Sequence, residues 1–173
     1  MLSCVTISPL IGQQRKEPPP YSLIHHYNVP IRGHAGGLGS IQHPDFQMAV
    51  GEMTSEEFTE FLVRIFGLLA SYSVDGALQY IYMDWRHLVE LLRAGGHIYS
   101  ELKNICVWVK DNAGMGSLYR SQHEFVFVYK QGNAAHRNNV ELGAFGRYRS
   151  NVWTYPGYNE PAFRVTSGPD LIM

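Results

Sequence analysis

The sequence predicts an α/β domain: a sheet with crossover helices and one antiparallel strand pair. Three observations carry this. An amphipathic helix with its own start signal, Thr54 to about Ser71, leads into a strand-like run, Gly76–Met83, and then into a second helix, Trp85–Arg93. Two strongly strand-like segments follow, Asn104–Lys110 and Glu124–Lys130. The chain length, 173 residues, suits one domain with a real core.

The first helix begins at a capping box. Thr54 stands as N-cap and Glu57 three residues later, so each side chain can bond the other's backbone amide. Phe58, Phe61, Leu62, Ile65, Phe66 and Leu69 then recur at spacings of three and four, which gathers them on one face. Ser71 to Ser73 closes it. The run Gly76–Met83 is nearly continuous in apolar character, as expected of a strand covered by helices on both faces. Asp84 can cap the second helix, which would bury Trp85, Leu88, Val89 and Leu92 and stop at Gly95-Gly96. Strand, helix and strand at this spacing imply crossover connections. The two later strands form an antiparallel pair whose connection, Asp111–His123, is rich in glycine and polar residues and suits a functional loop. Trp108 reads as core, and Lys130 as an ordinary exposed charge at a strand end.

From Gln131 the chain reads as loop. Arg137, Asn138, Asn139, Arg147, Arg149 and Asn151 alternate there with Phe145, Tyr148, Trp153 and Tyr155. Basic and amide groups among aromatic rings suit a nucleic-acid surface; a solvated loop folded over the sheet edge would have the same composition. At the other end, residues 1–23 read as a poorly structured leader with Pro18-Pro19-Pro20 at its centre. Pro-Pro-Pro-Tyr also spells a WW-domain ligand, which would make the chain an adaptor.

Net charge is −1, so attraction to phosphate has to come from a local patch. Cys4 and Cys106 are far apart and form no CxxC pair, and no apolar run is long enough for a membrane helix. The expectation is a cytoplasmic protein without disulfides. His25, His26, His34 and His43 match no ligand spacing, so no metal is expected.

Several segments together resemble amino-methylating DNA methyltransferases, the group often found with a ParB-like nuclease domain. They are Tyr27-Asn28-Val29-Pro30-Ile31, the glycine loop Gly33–Ser40, Gly51-Glu52-Met53, and Met83-Asp84-Trp85-Arg86-His87. Trp108-Val109-Lys110, Gly114–Ser121, His123-Glu124 and Asn151-Val152-Trp153 continue the series. The resemblance covers about Tyr27 to Gly157, and divides the chain into the leader, a methylase domain over 24–160 and a tail over 161–173.

The resemblance implies a partial Rossmann-like methyltransferase sheet, mostly parallel with one reversed strand. It implies methyl transfer from S-adenosyl-L-methionine to adenine N6 or cytosine N4 in double-stranded DNA, as in restriction–modification. The target base leaves the duplex and stacks on a Tyr, while an Asp carboxylate and a backbone carbonyl accept hydrogens from its amine. Position by position, Tyr27 is the stacking ring and Asn28 completes the catalytic segment. Ile24, His25 and His26 stand where Asp-Pro-Pro is expected. Loss of one such polar group costs ~2.7–4 kcal/mol of barrier. Glu17-Pro18-Pro19-Pro20-Tyr21 imitates the motif with one proline too many. The cofactor segment, a strand running into Phe-x-Gly-x-Gly, is expected after the recognition loops and is not found, so the cofactor-binding residues stay unassigned. Lys110, Arg120, Ser121, His123, Arg147 and Arg149 are the expected DNA-binding residues; Lys110 at its strand end reads as an ordinary exposed charge or as a contact to phosphate. Asp84 can serve cofactor or base, or act only as a cap. Two readings follow: a methyltransferase in truncated form, or an inactive fragment that keeps only DNA-binding elements.

Overall fold

A computed structural model describes residues 23–24, 28–30, 51–114, 118–136, 138, 140–144 and 146–155. The capping box forms as the sequence requires: the Thr54 hydroxyl accepts from the Glu57 amide at 3.2 Å, and the Glu57 carboxylate accepts from the Thr54 amide at 2.9 Å. Helix α1, Ser55–Ser71, follows, with Phe58, Leu62 and Phe66 fully buried one turn apart. Phe61, Ile65 and Leu69 flank them, partly buried.

Strand β2, Leu78–Met83, leads through Asp84 and a single 3-10 turn, Trp85–His87, into helix α2, Leu88–Ile98. The expected stop at Gly95-Gly96 is not there, and the helix runs through both. Gly95 serves close approach instead, because a Cβ at that position would collide with the Tyr129 ring. The buried face is also rotated from the expected one. Leu91, Ala94 and Glu90 point inward, while Trp85 and Val89 are exposed. Trp85 and Val89 stand four residues apart on the side away from Leu91 and Ala94, a distinction that apolar character alone does not make.

Strands β3, Glu101–Val109, and β4, His123–Lys130, form the expected antiparallel pair, with a bulge between Leu102 and Asn104. Two further strands complete the sheet. β1, Leu23–Ile24, lies parallel to β2 with Ile24 beside Tyr82. β5, Val152–Thr154, lies parallel to β3 with Val107 beside Val152. The sequence reading treated β5 as loop; three residues at an exposed edge carry little apolar signal. The order is β1-β2-β4-β3-β5. β4 pairs antiparallel with both β2 and β3, so it alone is reversed and the other four strands point the same way. The expected α/β sheet with a reversed strand is present, but among the described residues its two long pairings, β2–β4 and β3–β4, are both antiparallel, and only the short strands β1 and β5 pair in parallel, so the sheet is not mostly parallel as expected.

Both helices cover one face of the sheet. Phe58, Leu62, Phe66, Leu91 and Ala94 meet Ile81, Met83, Phe127 and Tyr129 there, and fully burying each large apolar side chain stabilises by about 1.5–3 kcal/mol. The other face was expected to carry a helix as well. Among the described residues it carries none. Cys106, Val126 and Val128 are buried there among half-buried Tyr80, Tyr82, Trp108 and Trp153. Trp108, expected as core, is half-buried, and its indole N–H donates to the Tyr155 carbonyl at 3.2 Å. Burial pushes the Tyr80 and Tyr82 phenols and the Cys106 thiol up.

Candidate site at the carboxyl edge of the sheet

Because four strands share one direction, their carboxyl ends meet at one edge, together with the start of β4. Open α/β sheets bind ligands at this edge. It receives Asn28 after β1, Asp84 after β2, and Lys110 after β3 beside His123 and Glu124.

Asn28 is buried, with φ +49° in the left-handed region, which Asn tolerates better than most residues. Its side-chain oxygen accepts from the amides of Gly51 at 3.1 Å and Met53 at 3.2 Å, and its side-chain N–H donates to the Met53 carbonyl at 2.8 Å. One amide thereby joins the end of β1 to the segment that starts α1. Gly51 is required in this contact: its φ is +94°, and a Cβ would lie 2.6 Å from Pro30 Cδ. With its oxygen engaged by two backbone amides, Asn28 positions the edge. Tyr27, His25, His26 and the glycine loop lie outside the described residues, as do Cys4, the polyproline segment, and His34 and His43. Ile24 closes β1.

Asp84 is also buried. It accepts from the Arg86 amide at 3.0 Å and pairs with the Arg86 guanidinium at 2.7 Å, which in turn lies 5.5 Å from the centre of the Trp85 ring. Of its two expected roles the cap is therefore realised, with an ion pair added. Beside it is a carboxylate that the sequence reading missed. Glu90 sits in the first turn of α2, buried, and accepts from the Ser55 hydroxyl at 2.6 Å; His87 Nδ1 is 3.5 Å away. Burial pushes this carboxyl up, but the Ser55 hydrogen bond, its own backbone and His87 outweigh burial and hold it below its ordinary value. Its second oxygen is buried without a hydrogen bond. The clue in the sequence was an acid interrupting the apolar run Leu88-Val89-Glu90-Leu91-Leu92. Glu90 links the starts of both helices beside the edge.

Lys110 and Glu124 form a half-buried ion pair at 2.7 Å, with the Lys110 ammonium 5.8 Å from the Trp108 ring centre. Lys110, expected as an ordinary exposed charge or a contact to phosphate, thus already has a carboxylate. The His123 ring stands edge-on to Phe125. Beyond them the two legs of the loop zip together: the Lys110 amide donates to the Gln122 carbonyl, Gln122 Nε2 donates to the Lys110 carbonyl, and the Gly114 amide donates to the Ser121 carbonyl. Arg120 clamps the turn through the carbonyls of Gly114 at 3.0 Å and Ala113 at 2.8 Å. Leu118 and Tyr119 project into solvent near its tip.

The structure does not bring all the expected DNA-binding residues together. Lys110, Arg120, Ser121 and His123 share the carboxyl edge. Arg147 and Arg149 precede β5 and so approach the sheet from the amino side of that strand, and Asn151, next to it, bonds the Ile105 carbonyl midway along β3. Arg147 pairs with Glu141 at 2.8 Å, and Arg149 is exposed.

No family model and no curated protein matches the chain. Among solved structures, a candidate DNA modification methylase from Thermus thermophilus, crystallised with S-adenosyl-L-methionine, is similar at 16% identity and a TM-score of 0.45. The match covers 66% of this chain and spans 57% of that protein's length. Among the described residues no helix is long and apolar enough to cross a membrane, and no group of three or more His, Cys, Asp or Glu could hold a metal.

Proposed function

We propose that this chain is a site-specific DNA methyltransferase of the amino-methylating type, moving a methyl group from S-adenosyl-L-methionine to adenine N6 or cytosine N4 in double-stranded DNA. One observation carries the reading. Segments that resemble the family's motifs, from Asn28 to Glu124, are scattered in sequence, yet the shared direction of β1, β2 and β3 and the reversal of β4 set them at a single edge. A lone motif match is cheap; convergence of Asn28, Gly51–Met53, Met83–His87, Lys110 and His123-Glu124 at one place is a stronger constraint. The methylase domain is taken as residues 24–160.

In this reading Tyr27 stacks on the flipped base, and Asn28 fixes the backbone that presents it. Lys110, Arg120, Ser121 and His123 face the DNA. The described residues do not by themselves fit the cofactor. A ribose needs a free carboxylate at a strand end, and Asp84 is paired with Arg86. Of the described strands, β2 runs directly into a helix, and its turn, Asp84–His87, contains no glycine. No step is therefore routed through the cofactor.

A second reading is favoured by Ile24: a chain that keeps the DNA face but transfers nothing, because isoleucine offers no acceptor to the amine. Labelled S-adenosyl-L-methionine incubated with duplex DNA separates the two. Transfer of label by the wild-type chain supports the enzyme. DNA binding without transfer, unchanged in the triple variant Ile24→Asp, His25→Pro, His26→Pro, supports the inactive form.

A further inference from the structure

We propose that Trp85 and Arg86 form a seat on which an unpaired nucleobase stacks. The inference deepens the DNA reading above and rests on it. Trp85 is 56% exposed and belongs to neither core cluster, so its indole is not explained by packing. It follows Asp84 directly at the carboxyl end of β2, one strand away from β1 and Asn28.

The seat is built. Asp84, 8% exposed, holds Arg86 through both its backbone amide and its guanidinium, and the guanidinium is thereby kept against the indole. An arginine pinned in this way costs little further ordering when a ring stacks beside it, and the cation and the π-face act together on the same ligand. Trp85, Val89, Arg93 and His97 then recur every four residues, all exposed, along the outward face of the turn and α2. The acid of this helix, Glu90, points inward to Ser55. The outward stripe therefore presents an aromatic ring followed by a cation, which complements a base followed by its phosphate backbone. A protein partner would ask for a wider apolar patch than Trp85 and Val89 supply. The stacking is sequence-tolerant, because every base has a π-face.

The test compares anisotropy titrations of two labelled duplexes, one fully paired and one carrying a single unpaired base. The wild-type chain is expected to prefer the unpaired base. Trp85→Ala should lose that preference, with affinity for this duplex falling about ten-fold or more. Trp85→Phe should retain most of it, and both variants should bind the paired duplex nearly as the wild type does. Matching circular-dichroism melts confirm that the exposed substitution leaves the fold intact. If Trp85→Ala binds both duplexes like the wild type, the seat is refuted while the DNA reading stands. Should the wild-type chain bind neither duplex, both fall together. If Trp85→Ala changes only the concentration dependence of the chain's mass, the surface is a protein interface and the seat is likewise refuted.

Discussion

The two ends of the sheet are built differently. Among the described residues, three of the four buried polar side chains, Asn28, Asp84 and Glu90, collect at the carboxyl end, and one oxygen of Glu90 there has no hydrogen bond. Near the amino end the fourth, Gln79, is tied on both sides: its amide donates to the Ser73 hydroxyl at 2.8 Å and its oxygen accepts from Tyr99. The rest of that end is closed by turns, such as the Ser100 hydroxyl on the Gly132 carbonyl, and by the exposed Lys103–Glu101 pair, though the Tyr129 hydroxyl and the Gln131 side-chain oxygen are buried there without hydrogen bonds. Buried polar groups are costly unless they are hydrogen-bonded. The contrast is one of placement: the carboxyl end gathers the buried Asn28, Asp84 and Glu90 side chains around the strand ends.

The largest effect should come from the latch. Asn28→Ala removes three hydrogen bonds to the segment 51–53 and strands two backbone amides, and is expected to destabilise by about 3 kcal/mol in urea denaturation. Asn28→Asp keeps the acceptor and should recover part of that loss. A smaller effect is expected of Glu90→Gln, read through pH. A carboxyl held below its ordinary value stabilises the fold above pH 4.5, and the contribution disappears as the pH falls through its lowered value. Acid melts of the wild type should therefore drop below that pH more steeply than those of Glu90→Gln. An equally steep drop in the variant would remove Glu90 from the account. The smallest effect belongs to an exposed pair: Lys103→Met, which breaks the contact with Glu101, should leave the melting temperature unchanged.

Much of this contrast could be read in the sequence, and the part that could not has physical causes. Thr54, Glu57 and the apolar spacing define α1 because capping and periodicity are local. The β3–β4 pair is legible for the same reason. The rotation of α2 was hidden because Trp85 and Val89 are as apolar as the residues that are buried, and Gly95, which looked like part of a stop, answers to Tyr129, which lies far along the chain. β5 exists through pairing with β3, which no local signal carries. Of the motif residues, Asn28, Asp84, Lys110 and His123 gather at one edge, whereas Glu90 was missed because its partner Ser55 lies 35 residues away. The separation of Arg147 and Arg149 from Arg120 follows from strand direction, which composition does not encode.

Duplex binding by paired variants tests the central claim most directly. Lys110→Ala with Arg120→Ala removes cations at the carboxyl end, and Arg147→Ala with Arg149→Ala removes them on the amino side of β5. If the carboxyl end is the DNA site, the first pair should weaken binding roughly ten-fold or more and flatten its salt dependence. The second pair should leave both nearly unchanged. Loss confined to the second pair, with the first binding like the wild type, would contradict the assignment of the site to the carboxyl edge.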